Sequence, residues 1–557
     1  MSRRDELRAI GRRGRQVGLL ASVTGALTGL AVAGFERLVN RGLFDHLLRL
    51  PLAVQAAAPA VGLLVAAAAL HWQGRGASPA TADEYIKSFH DRQGSLDLRP
   101  VLARLVASAA TLGSGCALGY EGPSLYMGSA LGTVIQRRLS KFFSREDSKV
   151  LLVAGAAAGV AAIFKAPATG AIFALEVPYQ DDLARRMLLP VLFSAAASYV
   201  TFAAINGTTP LFPISGSPPF DLRDLGGAAV VGIVCGGAAR LFARVLRFAK
   251  SLSLRGHPAL RAASAGVAIA GLFAISDAVF GQSLILGSGY RSITWALEPR
   301  HAIIEVLALF VLRALATTAA VGGGGAGGLF VPLVVQGVIL GRALGSLFGA
   351  GDTTLFPVLG IAAFLGAGYR VPLSAVVFVA ETTGRPGFVV PGLIAAATAQ
   401  LMMGLSSVSS YQHAVRRGGH LERRFALPIT AALRTDAATV PPEATIEEFY
   451  THHVLQVRLR VVPVVDGSAY LGMVHADDLT GVEREAWSTI PVKDVMRPDG
   501  PVGDVRWTLG QALAALEAGD SDRLAVLDGE AYVGLVTTGE ILKLDEILDV
   551  TDHDLTD

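Results

Sequence analysis

The sequence predicts an all-α polytopic membrane domain built from two related halves with broken helices, followed by a small soluble α/β domain. Three observations predict it. The 557 residues are 52% hydrophobic and 17% charged, with 63 glycines, whereas soluble chains carry about a quarter charged residues. Apolar runs recur over 17–35, 52–71, 101–118, 123–135, 150–176, 187–205, 225–248, 259–280, 302–321, 329–349, 355–381 and 386–405. After His420 the composition turns polar. The net charge of +2 gives no reason to expect a nucleic acid partner, and Cys116 and Cys235 both lie in apolar segments, so no disulfide framework is expected.

Residues 1–16 carry Arg3, Arg4, Arg8, Arg12, Arg13 and Arg15 ahead of the first apolar run, with no small-residue cleavage site. They read as a basic amphipathic helix on the membrane surface, and positive charge before the first span favours a cytoplasmic N-terminus. The membrane domain is expected over 17–420. Several of its runs fall short of the roughly 20 residues that a full span needs. Broken helices are tolerated at membrane depth where they are buried in protein or line a cavity.

The membrane domain contains a repeat. Pro123, Gly128 and Gly132 return with the same spacing as Pro332, Gly337 and Gly341. Gly155, Lys165, Pro167, Phe173 and Glu176 return at one offset as Gly360, Arg370, Pro372, Phe378 and Glu381. Two related halves with interrupted helices suggest a transporter with its site where the repeats meet.

Glu121 is the only charged residue between Arg104 and Arg137, in the motif GYEGP. A carboxylate in a span is costly and should face protein or water. Gly119 and Gly122 allow close backbone approach, and Pro123 suits the first turn of a helix. The next helix is therefore expected to start here, presenting free amides and the positive end of its dipole. That is an anion site, and Glu121 is an anion built into it. In the second half VGGGGAGGLFVP, ending at Gly328, Leu329, Phe330, Val331 and Pro332, is a second helix start with no carboxylate. It is expected to stand vacant for a mobile anion. Glu121 would then gate the path, vacating its place when protonated or displaced. The structural alternative is a carboxylate that caps its own helix or pairs with an arginine.

The C-terminal region repeats too. Asp466, Gly467, Tyr470, Gly472 and Val474 return as Asp528, Gly529, Tyr532, Gly534 and Val536. Each Asp-Gly is a turn between β-rich runs. Capping boxes at Thr445/Glu448 and Thr508/Gln511 start a helix in each unit. Two β-α-β-β-α units are expected, over 421–485 and 486–557.

GYEGP, GLFVP and SSYQHAV (409–415), with the stretch 155–176 between them, resemble in this order the signature motifs of CLC-type chloride channels and chloride/proton exchangers. The C-terminal pair resembles the tandem CBS (Bateman) domains of many members. The resemblance implies two inverted repeats, a homodimer with one pore per subunit, chloride as the bound substrate and no cofactor. It implies that Glu121 is the gating glutamate. It implies further that the Leu329 and Phe330 amides and the Tyr411 hydroxyl hold a central anion, and that the Tyr120 and Gly122 amides hold an outer one. Without the family, Tyr411 reads as an interfacial tyrosine. The family's GSGIP-like serine has no clear counterpart: Ser78, Ala80 and Thr81 are the candidates, so anion preference stays open. Exchangers of the family usually carry an inner glutamate where this chain has Val177, which favours passive conduction, with a chloride/proton antiporter as the alternative. Pro123 and GLFVP argue against the fluoride-type branch. Asp478 and Thr537 fall near the positions where CBS pairs hold an adenine nucleotide, and Glu540 takes the second unit's acidic position; ordinary surface chemistry would also explain all three. The implied location is a bacterial inner (plasma) membrane, with the N-terminus and CBS pair cytoplasmic. A CBS-regulated cation transporter is the rival of another class, but it should line its path with several carboxylates or carbonyl rings. An enzyme is not expected, because the apolar spans hold no HExxH, paired acids or histidine cluster.

Overall fold

A backbone surrounded by hydrocarbon must satisfy its own hydrogen bonds, so long apolar runs become helices. The computed structural model describes residues 3–91, 96–139, 149–209, 221–348, 354–413, 425, 427–519, 521–541 and 543–544, with side chains from residue 15 onward except at residue 186. It divides into a unit spanning 1–414 and another spanning 415–557.

In the first unit, half one holds α1 (Arg3–Glu36), α2 (Leu52–Ala68), α3 (Thr81–His90), α4 (Val101–Gly113), α5 (Glu121–Arg138), α6 (Val150–Phe164), α7 (Pro167–Glu176) and α8 (Leu188–Asn206). Half two holds α9 (Leu222–Leu252), α10 (Pro258–Phe280), α11 (Tyr290–Leu297), α12 (Ile303–Gly322), α13 (Phe330–Leu347), α14 (Leu355–Tyr369), α15 (Pro372–Thr383) and α16 (Val389–Met403). Among the described residues, eight helical stretches are long and apolar enough to cross a membrane. Large apolar side chains such as Val267 and Leu401 stay exposed on them, as lipid contact requires. This is an integral membrane protein.

One expectation needs correcting. The basic N-terminal helix is not separate from the first span, because α1 runs unbroken from Arg3 to Glu36. No proline or cap interrupts residues 3–36, so the backbone ladder carries straight through.

The repeat is visible as matched geometry between the two halves. α6 and α14 both stop at a residue in the left-handed conformation, Lys165 (φ 55°) and Arg370 (φ 57°), and a proline opens the next helix in each half. The matched glycines mark where helices cross in contact. A Cβ on Gly128 would sit 2.0 Å from the Gly155 carbonyl oxygen, and one on Gly337 would sit 2.3 Å from that of Gly360. The matched acids cap each other's half. Glu176 accepts from the amides of Leu373 (3.1 Å) and Ser374 (2.9 Å) and from the Ser374 hydroxyl (2.5 Å). Glu381 accepts from Ala168 N–H (2.9 Å), Thr169 N–H (2.7 Å) and the Thr169 hydroxyl (2.6 Å). Each acid satisfies free amides at the first turn of the other half's proline-started helix.

A buried arginine fixes the approach to the first motif. Arg313, 1% exposed, donates to the carbonyls of Ile285 (2.8 Å), Gly287 (3.0 Å) and Ser288 (3.0 Å). Gly287 N–H in turn donates to the Gly115 carbonyl at 2.8 Å.

The second unit is a five-stranded sheet of order β1-β2-β5-β4-β3, with β1 (Val461–Asp466), β2 (Ala469–His475), β3 (Val502–Asp504), β4 (Arg523–Asp528) and β5 (Ala531–Thr537). β1/β2 and β4/β5 are antiparallel hairpins in matching register, closed by Asp466↔Ala469 and Asp528↔Ala531. Gly467 (φ 60°) and Gly529 (φ 66°) sit in their turns. Both capping boxes form, ahead of α17 (Ile446–Phe449) and α18 (Leu509–Ala518). The expected first strand appears only in the second unit, where β3 runs parallel to β4. In the first unit that edge is reduced to one bridge, Val440↔Val464; the prolines at 441 and 442 lack the N–H that would extend it.

Glu176→Ala and Glu381→Ala should each destabilise the chain by about 1–3 kcal/mol, because buried amides lose their acceptor. Glu381→Gln, which keeps one oxygen, should cost less. Melting followed by size-exclusion chromatography in detergent measures this; three unchanged midpoints would refute the capping role.

Candidate functional site

The two motif loops meet at one short antiparallel pairing. Gly119 N–H donates to the Gly328 carbonyl (2.9 Å) and Gly328 N–H to that of Gly119 (2.8 Å). Side-chain bonds tie the flanks. The Thr111 hydroxyl accepts from Ala326 N–H (3.1 Å), and the Thr317 hydroxyl donates to the Ala117 carbonyl (2.9 Å). Beyond the pairing, α5 starts at Glu121 and α13 at Phe330, with Pro123 and Pro332 in their first turns. Two helix starts, each with free amides and a positive dipole end, are thereby aimed at one place.

Glu121 fills that place. It is 2% exposed, and its Oε1 accepts from Phe330 N–H at 2.6 Å. The second helix start is therefore not vacant as expected: the carboxylate of the first half sits on the amide of the second. The reason is spacing, because the Gly119–Gly328 pairing brings the two helix starts together and the carboxylate lies against both glycines. A Cβ on Gly119 would meet Glu121 Oε2 at 1.9 Å, and one on Gly328 would meet Oε1 at 1.9 Å. The other oxygen, Oε2, is buried with no hydrogen-bond partner.

An aromatic cluster holds the Phe330 amide in place. Phe330 contacts Phe164 (4.5 Å between centroids), Phe378 (4.9 Å) and Phe173 (5.3 Å). These rings come from the two helix breaks of both halves, so the repeat itself positions the amide.

Beside the carboxylate, a cavity of about 100 Å³ is lined by Ser78, Ala80, Thr81, Asp83, Leu329 and Tyr411 among others. Of the three candidates for the missing serine, Ser78 already accepts from Ala80 N–H (3.2 Å) and Ala80 has no hydroxyl. The Thr81 hydroxyl is buried and unpartnered, 2.6 Å from where a Cβ on Gly122 would stand. Tyr411 lines the cavity but is 47% exposed. Leu329 also lines it. Tyr120 turns its hydroxyl away, donating to Asn40 Oδ1 at 3.4 Å. Val177 is buried; its N–H donates to the Phe173 carbonyl at 2.9 Å and its carbonyl accepts from Gln412 Nε2 at 2.8 Å.

Three lining residues were missed in the sequence. Asp83 accepts from Lys250 Nζ at 2.5 Å, and the same ammonium donates to the Val408 carbonyl at 2.8 Å. Tyr369 is 2% exposed and lines the cavity. A signal for it existed: at the repeat offset its counterpart is Phe164, so the second half carries a hydroxyl that the first lacks.

In the C-terminal unit, Asp478 is held by Arg497, whose Nε donates to Oδ2 at 2.6 Å. That hydrogen bond keeps the carboxyl below the usual aspartate range. The Thr537 hydroxyl accepts from Glu540 N–H (3.2 Å), and Glu540 faces Arg434 at 3.6 Å. The predicted residues are thus present but engaged. Burial pushes the Tyr470 and Tyr532 hydroxyls up to about 12.

Comparison with known proteins agrees with this geometry. The family model described as voltage gated chloride channel matches residues 61–404, and a CBS domain model matches 429–485. The H(+)/Cl(-) exchange transporters ClcA of Salmonella paratyphi B and Salmonella typhi are each 27% identical over 433 residues, 72% of this chain and 89% of theirs. A slow cyanobacterial Cl-/H+ antiporter matches with a TM-score of 0.61 at 22% identity, over 70% of this chain and 94% of that one. A eukaryotic CLC transporter matches with a TM-score of 0.58 at 17% identity, over 94% and 97%. At these identities the solved structures establish the fold alone.

Gly328→Ala should push the Glu121 carboxylate off the Phe330 amide. A crystal structure of the variant would show it, and an unmoved carboxylate would mean that the pocket is looser than the 1.9 Å contact implies.

Proposed function

Since the chain belongs to the voltage gated chloride channel family, we propose that it carries chloride or a similar small anion across the membrane along a path gated by Glu121. The observation that carries this is the 2.6 Å bond from Phe330 N–H to Glu121 Oε1. A carboxylate on a helix-start amide stands where a permeating anion would bind, so the anion and Glu121 compete. Protonation removes the carboxylate's charge and with it the claim on that amide. The Phe330 amide, its neighbour at Leu329, the Thr81 hydroxyl and Tyr411 then serve the anion. The Tyr120 and Gly122 amides serve an outer position. Among the Ser78, Ala80 and Thr81 candidates, Thr81 is assigned because its buried hydroxyl has no other partner.

Passive conduction is the reading that Val177 supports, because a valine relays no proton. Exchange is the second reading, supported by the relatives named as H(+)/Cl(-) exchange transporters. The protein is further read as a homodimer of the bacterial inner membrane with its N-terminus and CBS pair cytoplasmic. The arginines ahead of the first span support that orientation.

An adenine nucleotide is proposed as the regulatory ligand of the CBS pair. The acid and arginines that suit ribose and phosphates are in place, although a ligand must first displace Arg497 from Asp478 and Arg434 from Glu540. Binding is therefore expected to be weak, in the millimolar range. Calorimetry with ATP on the full chain tests it, and no heat that Asp478→Ala abolishes would remove the nucleotide from this reading.

Reconstitution in liposomes tests the main reading. Chloride flux is expected to rise as pH falls, and Glu121→Gln to conduct with no pH response. A chloride gradient is expected to drive no uphill proton movement. Proton pumping would replace the passive reading with exchange, and an unchanged pH response in Glu121→Gln would remove the gate.

A further inference from the structure

Tyr369 ends α14 directly before the left-handed Arg370. It lines the cavity together with Thr81, Asp83 and Leu329. Its ring stands edge-on to Phe173 (5.6 Å, 90°), which stands edge-on to Phe330. The hydroxyl is therefore fixed relative to the amide that Glu121 occupies.

The fold does not need that hydroxyl. In the first half the same helix break, with the same left-handed residue after it, is made with Phe164. The oxygen on Tyr369 is thus additional to the architecture that the two halves share. A phenol hydroxyl accepts and donates at once. It can donate its hydrogen into the cavity it lines, and an anion offers lone pairs and no donor. Two other polar groups along the cavity are less firmly placed for the anion. Lys250 is already paired with Asp83 at 2.5 Å, and Tyr411 is 47% exposed where Tyr369 is 2% exposed.

Resting on the reading of this chain as an anion transporter, we propose that Tyr369 holds the permeating anion through its O–H on the cavity side of Glu121. It favours small, charge-dense anions there, because a fixed donor interacts more strongly with concentrated charge.

The test is Tyr369→Phe in the full chain, which keeps the ring and its contact with Phe173. Calorimetry in detergent should show chloride affinity about tenfold weaker, as expected for one lost hydrogen bond to a charged ligand. Thiocyanate, a large anion of diffuse charge, should lose less, so the chloride-to-thiocyanate flux ratio in liposomes should fall. A structural role alone would not move that ratio. Tyr411→Phe should weaken chloride less than Tyr369→Phe. An unchanged affinity and ratio in Tyr369→Phe, or a larger loss in Tyr411→Phe, would overturn the assignment. Should Tyr369→Phe fold poorly, crystals of the unmodified chain soaked in bromide decide. Bromide in hydrogen-bond contact with Tyr369 Oη supports the proposal, and bromide elsewhere overturns it. Absence of chloride flux in the unmodified chain would instead defeat anion transport itself; intact flux with an unaffected Tyr369→Phe defeats only this assignment.

Discussion

Everything in the membrane unit answers to one contact: a buried carboxylate held by the first amide of a helix that belongs to the other half of the chain. Removing a carboxylate from water is costly unless its oxygens are hydrogen-bonded. Two helix starts, facing each other across the Gly119–Gly328 pairing, supply the compensating field. The compensation is incomplete, because only Oε1 is bonded while Oε2 is orphaned. A group held by one good bond and one unmet need is well suited to leaving. A fully satisfied acid would be a structural fixture, as Glu176 and Glu381 are.

Four acids of the membrane core illustrate how environment decides role. Glu176 and Glu381 each receive three donors at a helix start in the opposite half. Asp83 is balanced by Lys250. Glu121 has one amide, no cation among its described partners, and glycines where other residues would have side chains. The same chemical group thus acts as a cap, as half of an ion pair, or sits with one oxygen unpartnered, according to what surrounds it.

Much of this was legible in the sequence. The isolation of Glu121, the glycine-proline helix starts, and the repeat of 155–176 in 360–381 are patterns of residue type and spacing, and they survive into the structure as helix ends and crossings. The Asp-Gly hairpins and both capping boxes were equally readable, because their geometry is local. What was not legible depends on distance across the fold. Nothing along the chain says that Glu121 reaches Phe330 rather than its own helix, since 209 residues separate them. That Thr81 keeps a buried, unpartnered hydroxyl while Ser78 accepts from Ala80 N–H is likewise invisible in the sequence, because it depends on how α3 packs. Tyr369 was overlooked because tyrosine in an apolar run looks like core; its meaning emerges only when Phe164 is seen in the twin position. The unbroken α1 was missed because charge was allowed to mark a boundary that the backbone does not respect.

The reciprocal caps carry an implication for why the two halves share a chain. Each half donates an acid to close a helix start that it does not own, so neither half is complete by itself. A free-standing half would bury bare amides at Pro167–Glu176 or Pro372–Thr383. Keeping both halves in one chain guarantees that each helix start meets the acid that closes it.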